Sequence, residues 1–236
     1  MAPEHHIRID GTLKPRSKFL GNSAASLMEG IAVLRLLNRG EGPKGEKYIL
    51  TQPNMYARGI LFGKMKYELG DHVIVHCSEL DLIADVEFKT KGYFSGTYNA
   101  IGGTIKREST GEVLYELSGM WSAEMYITDA VTKQRTLLYD AKAQKPTPPL
   151  VRPLEEQSER ESQKLWYNTV QAVIARDHER ATDEKSAIEN MQREEAARRL
   201  TDGVDFQPRY FRAVRSRPGE PEEGEEKLDW ILNRDM

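Results

Sequence analysis

The sequence predicts an α+β protein: an antiparallel meander followed by C-terminal helices. Three observations predict it. From Ile7 to Asp140, short runs rich in aliphatic and aromatic residues alternate with breaks containing glycine, aspartate and asparagine. That is the punctuation of hairpin-connected strands. A proline-rich stretch, "AKAQKPTPPLVRP", closes the region. Beyond it the apolar spacing turns to three and four, the period of an amphipathic helix.

Each element follows in order. "IAVLRLLN" and "KYILTQP" read as two early strands. The loop between them, "RGEGPKGEK", lacks the Gly-Lys-Ser/Thr ending of a phosphate-binding P-loop and reads as a plain turn. "YARGILFGKMKYELG" alternates like a strand. "HVIVHC", "IADVEFKTKGYF", "GGTIKRE" and "EVLYELSGMWS" follow, with breaks at "GD", "ELD", "NAIGG" and "STGE". Residues 7–140 are therefore assigned to the sheet and 141–153 to an extended proline-rich bridge. Residues 154–200 are assigned to helices. The first runs through "ESQKLWYNTVQAVIAR", with Trp166, Val170 and Val173 on one face. Thr182 is the expected N-cap of the second, with Asp183 and Glu184 in its positive first turn. Residues 212–236 are expected to form an acidic flexible tail. Five glutamates fall between Glu220 and Glu226, too polar a stretch to offset the entropy of ordering. The last residues add Trp230, Ile231 and Leu232, which are able to dock.

The bulk chemistry excludes several function classes. The 236 residues are 39% hydrophobic and 30% charged, with a formal net charge of -3. A general nucleic-acid binder is basic overall, so no nucleic-acid partner is expected. The lone cysteine, Cys77, cannot build a disulfide framework and fits a reducing compartment. No apolar run reaches the length of a membrane span, and "MAPEHHIRID" lacks a signal-peptide core. A cytoplasmic protein that touches membranes only from outside is expected.

The stretch "ATDEKSAIENMQREEAARRL" holds Lys185, Glu189 and Arg193 at steps of four. On a helix each step advances only about 40°, so the three form one stripe with rungs about 6 Å apart. Ile188 and Met191 point away from it, toward a core. Such a ladder is usually a solvated face. It also suits a grip on an anion, with Glu189 holding two cations for one phosphate. Other candidates are weaker. His5 and His6 have no third ligand nearby. His72 and His76 flank a strand and lie about 13 Å apart on one face, too far to share a metal. No nucleophile elbow, zinc-binding helix or cysteine cluster is present. No enzyme activity, catalytic residue, metal or cofactor is expected.

Several longer motifs resemble one family. "PRSKFLGNSAASLMEG", "LTQPNMYARGILFGKMKYELGDH", "VEFKTKGYFSG", "LSGMW", "RPLEEQSERESQKLW" and "ATDEKSAIENMQR" occur in one order between Ile9 and Phe211. Together they resemble the oxysterol-binding-protein-related lipid-transfer family, and most of all its fungal phosphatidylserine-carrying subgroup. The resemblance implies a β-barrel-like lipid pocket followed by helices. It implies non-vesicular lipid transfer, with exchange of phosphatidylserine against phosphatidylinositol 4-phosphate, or carriage of sterol. The partners it implies are anionic lipids and peripheral membrane contact, at endoplasmic reticulum and plasma membrane contact sites. A family pattern of Lys-x3-Glu-x3-Arg that holds the inositol phosphate falls on Lys185, Glu189 and Arg193. Ser17 falls where the phosphatidylserine carriers contact the headgroup; its plainer reading is a turn hydroxyl.

One hallmark is missing. The family's Glu-Gln-Val-Ser-His-His-Pro-Pro run has no counterpart. His5-His6 abuts the strand "IRIDGTL" and no prolines follow, so the signature's role is not carried onto it. The chain is expected to be the C-terminal portion, 7–211, of the lipid-binding domain. A barrel lacking strands exposes unpaired edges and opens its pocket to water. The alternative reading is accordingly a truncated interaction or regulatory protein that carries no lipid.

Overall fold

A computed structural model describes residues 3–41, 44–92, 96–214 and 228–233. The chain divides into two units: Met1–Lys145 with Tyr210–Met236, and Pro146–Arg209.

The alternating segments of the first unit become strands Ile7–Phe19 (β1), Ser23–Leu36 (β2), Glu46–Leu50 (β3), Asn54–Arg58 (β4) and Lys66–Cys77 (β5). Leu82–Lys89 (β6), Ala100–Arg107 (β7), Val113–Met120 (β8), Glu124–Asp129 (β9) and Arg135–Asp140 (β10) complete the sheet. It is antiparallel and ordered β1-β2-β3-β5-β6-β7-β8-β9-β10. β4 pairs with both β2 and β5. The long β2 makes this possible. Its Ala32–Leu36 half pairs β3, and its Ser23–Ser26 end pairs β4. Pro15, which cannot donate to a ladder, sits on the terminal strand β1, where prolines are tolerated.

Two boundaries differ from the sequence reading. "YARGILFGKMKYELG" is a hairpin rather than one strand: β4 stops at Arg58 and β5 begins at Lys66. Gly59 makes the turn possible with φ 70°, and a Cβ there would lie 2.5 Å from the Lys64 carbonyl oxygen. The "GD" break is no break. Asp71 takes φ 69° inside β5. It is held there by Asn54 Nδ2 at 2.7 Å and the Tyr56 hydroxyl at 2.5 Å, both donating to its carboxylate.

Ile31 and Val33 of β2 pack with Val214, Leu228 and Ile231, and Ile49 leans against them. Phe211–Ala213 (β11) pairs with Trp230–Leu232 (β12). β12 is tied to β1: the Leu232 N–H donates to Asp10 at 2.9 Å, and Arg8 donates to the Leu232 carbonyl at 3.1 Å. The segment expected to be a flexible tail is thus packed at both of its described ends. Val214, Leu228 and Ile231 provide the apolar burial that the glutamates cannot. Those glutamates, within residues 215–227, lie outside the described residues.

In the second unit the helices are Ser162–Leu165 (α1), Tyr167–Ile174 (α2) and His178–Thr201 (α3). Trp166 (φ -94°, ψ 6°) is the joint between α1 and α2. Ala172 is the residue α2 buries, while Val170 and Val173 remain 48% and 56% exposed. The apolar face drawn from Trp166, Val170 and Val173 is therefore not the buried one. Ala172 has no side chain beyond Cβ and permits the closest approach. The N-cap of α3 is Asp177, whose side chain accepts the Arg180 N–H at 3.0 Å. Thr182, the expected cap, lies a turn inside and bonds back to the His178 carbonyl at 2.8 Å, a common mid-helix use of a hydroxyl. Ile188 and Met191 are half-buried, and no residue of α3 is fully buried.

Candidate functional site

α3 carries the ladder. Glu189 is its centre: Lys185 Nζ donates to one carboxylate oxygen and Arg193 donates to the other at 3.4 Å. Arg193 also donates to Asn190 Oδ1 at 2.9 Å. These contacts hold the Glu189 carboxyl below its ordinary value, the Lys185 hydrogen bond most and the two positive charges after it. Both cationic side chains are exposed, so each has N–H groups turned to solvent. An ordinary solvated ladder and a phosphate grip share this geometry. Glu189 organises two cations on one stripe, and a phosphate oxygen is a better acceptor for them than water.

Ser17 lies in the other unit. It is on β1 opposite Ser26, exposed, and on a strand rather than in a turn. His5 ends a short 3-10 turn and His6 adopts φ 56°. His72 and His76 lie on β5, and each meets one carboxylate: Asp85 at 2.7 Å and Glu108 at 2.8 Å. Among the described residues no group of three His, Cys, Asp or Glu is placed to hold a metal, and no helix is long and apolar enough to cross a membrane.

A second cationic feature was not read from the sequence. A cleft of about 360 Å³ in the sheet unit is lined by Arg58, Lys64, Lys66, Glu68, Lys91 and Tyr98. Arg58 and Lys66 are opposite each other across β4 and β5. Lys66 and Lys91 each place Nζ 4.7 Å from the Tyr98 ring centre. Glu68 is 4% exposed at its side chain. It pairs with the Arg58 guanidinium at 3.2 Å and accepts from the Lys91 N–H at 2.7 Å. The residues come from motifs about thirty positions apart. Only strand register, which the sequence does not print, brings them together.

The family model for the oxysterol-binding protein matches residues 1–173. The chain belongs to the oxysterol-binding protein family. It is 54% identical over 236 residues to an oxysterol-binding protein homolog of Schizosaccharomyces pombe, covering all of this chain and 46% of that one. The chain thus spans about half the length of such relatives. Among solved structures, the Osh1 ORD domain in complex with cholesterol superposes with a TM-score of 0.77 at 17% identity, over 98% of this chain and 59% of that one. The Osh3 ORD in complex with PI(4)P from Saccharomyces cerevisiae gives 0.65 at 19% identity, over 97% and 58%. The family's barrel-like fold accounts for the large antiparallel sheet and the C-terminal helices.

Proposed function

We propose that the chain binds lipid for non-vesicular transfer between membranes. Phosphatidylinositol 4-phosphate and phosphatidylserine are the proposed cargoes, with sterol as the alternative cargo. Lys185 and Arg193 grip the inositol phosphate, Glu189 orients them, and Ser17 contacts the phosphatidylserine headgroup. The reading is carried by one observation: in a chain of this family, one carboxylate holds two exposed cations four residues either side of it. The cholesterol and PI(4)P complexes of the two fold relatives support the sterol and phosphoinositide classes. The lipid is moved, not altered. Apolar burial supplies affinity and polar contacts supply selectivity. The chain acts in the cytoplasm and visits membranes peripherally. A liposome assay tests this. Donor vesicles carry fluorescent phosphatidylserine and acceptors carry phosphatidylinositol 4-phosphate. Transfer above the protein-free rate, accelerated by the phosphoinositide, is the expected result. A rate equal to background removes the carrier reading.

A second reading rests on β10. Leu137, Leu138 and Tyr139 are exposed on this terminal strand, and an apolar sheet edge is a template for another chain. On this reading the protein is an interaction partner that carries no lipid. A stable hetero-complex with a full-length relative, combined with absent transfer, selects it.

A further inference from the structure

The sheet has two apolar tips locked side by side. One is the turn after β1, with Phe19 and Leu20 exposed. The other is the loop from Gly59 to Met65 between β4 and β5, with Leu61, Phe62 and Met65 exposed, followed by Tyr67. Phe62 is 78% exposed and Tyr67 75%, too much for residues of a folding core. Asn22 ties the tips together, at the end of the β2–β4 ladder. The Asn22 carbonyl accepts the N–H groups of Gly59 at 3.0 Å and Ile60 at 3.2 Å. Its side-chain oxygen accepts those of Leu61 at 2.8 Å and Phe62 at 2.9 Å. Its amide donates to the Phe62 carbonyl at 3.0 Å. The N–H groups of Gly59 to Phe62 are therefore satisfied by Asn22, while the Leu61 and Phe62 side chains remain exposed.

Around this apolar end the charge is one-sided. Lys64 lies in the loop, Lys66 at its base and Lys91 in the adjoining cleft. Among the described residues none of the three has a carboxylate within ion-pair distance. Glu68, the one carboxylate lining the cleft among the described residues, is buried and engaged by Arg58 and the Lys91 N–H. Lysine is depleted from protein–protein interfaces, whereas lysines flanking exposed aromatic and aliphatic groups suit an anionic bilayer. Their stems lie along apolar surface while the ammonium groups reach phosphates.

We propose that these paired tips are a membrane-docking surface: Phe19, Leu20, Leu61 and Phe62 enter the interfacial region of an anionic bilayer while Lys64, Lys66 and Lys91 bind lipid phosphates. The proposal rests on the lipid-transfer reading, and names the surface through which such a protein meets its membrane.

The test uses the full chain and phosphatidylcholine vesicles with or without phosphatidylglycerol, which is not a proposed cargo. Cosedimentation on the anionic vesicles, weakened by salt, is expected. Lys66→Ala with Lys91→Ala lowers the partition coefficient roughly 30-fold, at the usual contribution of a basic residue near an anionic surface. Leu61→Ser with Phe62→Ser lowers it on anionic vesicles while the melting temperature holds. Cargo binding is measured separately with a water-soluble short-chain phosphatidylinositol 4-phosphate, which needs no docking. Wild type that binds the soluble cargo but does not sediment with anionic vesicles overturns this inference and leaves the transfer reading standing; wild type that docks but binds no soluble cargo does the reverse. Equal partition of wild type on the two vesicle types overturns the inference. So does self-association, in place of vesicle binding, that disappears in the Leu61/Phe62 variant, because the tips are then a protein interface.

Discussion

Asp71 shows how one residue can store a pH response. Its carboxyl is held below the ordinary aspartate value, first by the Tyr56 hydroxyl, then by the Asn54 amide. The same hydrogen bond is the largest influence raising the Tyr56 phenol above its ordinary value. A carboxyl lowered in the folded state stabilises the fold above the unfolded-state pKa of about 4. As pH falls, the unfolded chain takes up its proton first. The contribution is then lost progressively and is gone below the folded pKa. Asp71→Asn is therefore expected to flatten the acid limb of a stability-against-pH curve measured by urea unfolding. An unchanged acid limb would mean that the bond does not form in solution. Glu189 follows the same sign, but its side chain is 32% exposed and its partners are on the surface, so its interactions are screened. In the proposed grip its part is to position Lys185 and Arg193.

At the scale of elements, two devices are exposed to direct test. Asp177→Ala removes the side-chain acceptor from the start of α3 and is expected to cost about 1 kcal/mol, read by thermal melting of helical circular dichroism. Thr182→Ala is expected to cost less, since Thr182 satisfies no orphan N–H. Gly30 in β2 has φ 119°, and a Cβ there would lie 1.9 Å from the Thr12 carbonyl oxygen. Gly30→Ala is expected to cost about 1–3 kcal/mol, seen as a lowered unfolding midpoint. Strand identities were legible because alternation with glycine and aspartate breaks is a local signal. The β4–β5 hairpin was not, because its loop, "GILFGKM", is as apolar as a strand. Its exposed side chains are understood only once Asn22 is seen satisfying its backbone. The cap of α3 was misplaced by five residues because Asp177 and Thr182 both suit an N-cap, and local sequence does not say which one the helix extends to. The ladder was legible because i, i+4 spacing is all it needs. The cleft of Lys66, Lys91 and Tyr98 was not, because it depends on which strands are neighbours.

For the whole molecule, the proposed function assigns the lipid chains to the sheet and the headgroup phosphate to α3, and each assignment can be probed apart from the other. Among the described residues no ladder joins β1 to β10, and Ile9, Leu13, Leu137 and Leu138 on these terminal strands are exposed. Acyl chains gain about 0.8 kcal/mol per buried CH₂ only where the wall excludes water. Lengthening both chains of phosphatidylinositol 4-phosphate by four carbons adds eight methylenes, about 6 kcal/mol if fully buried. This chain is expected to realise less than about a third of that difference, measured by isothermal titration with dibutanoyl and dioctanoyl forms. The full increment would mean that the pocket wall is complete in solution. The central claim is the phosphate grip, and binding of dibutanoyl phosphatidylinositol 4-phosphate to wild type and Arg193→Glu tests it most directly. The account predicts saturable binding by wild type and at least roughly tenfold weaker binding by the variant, as expected when a charge-assisted hydrogen bond is replaced by repulsion, with the melting temperature held within about 4 °C. Equal affinity of the two proteins for the headgroup would contradict it.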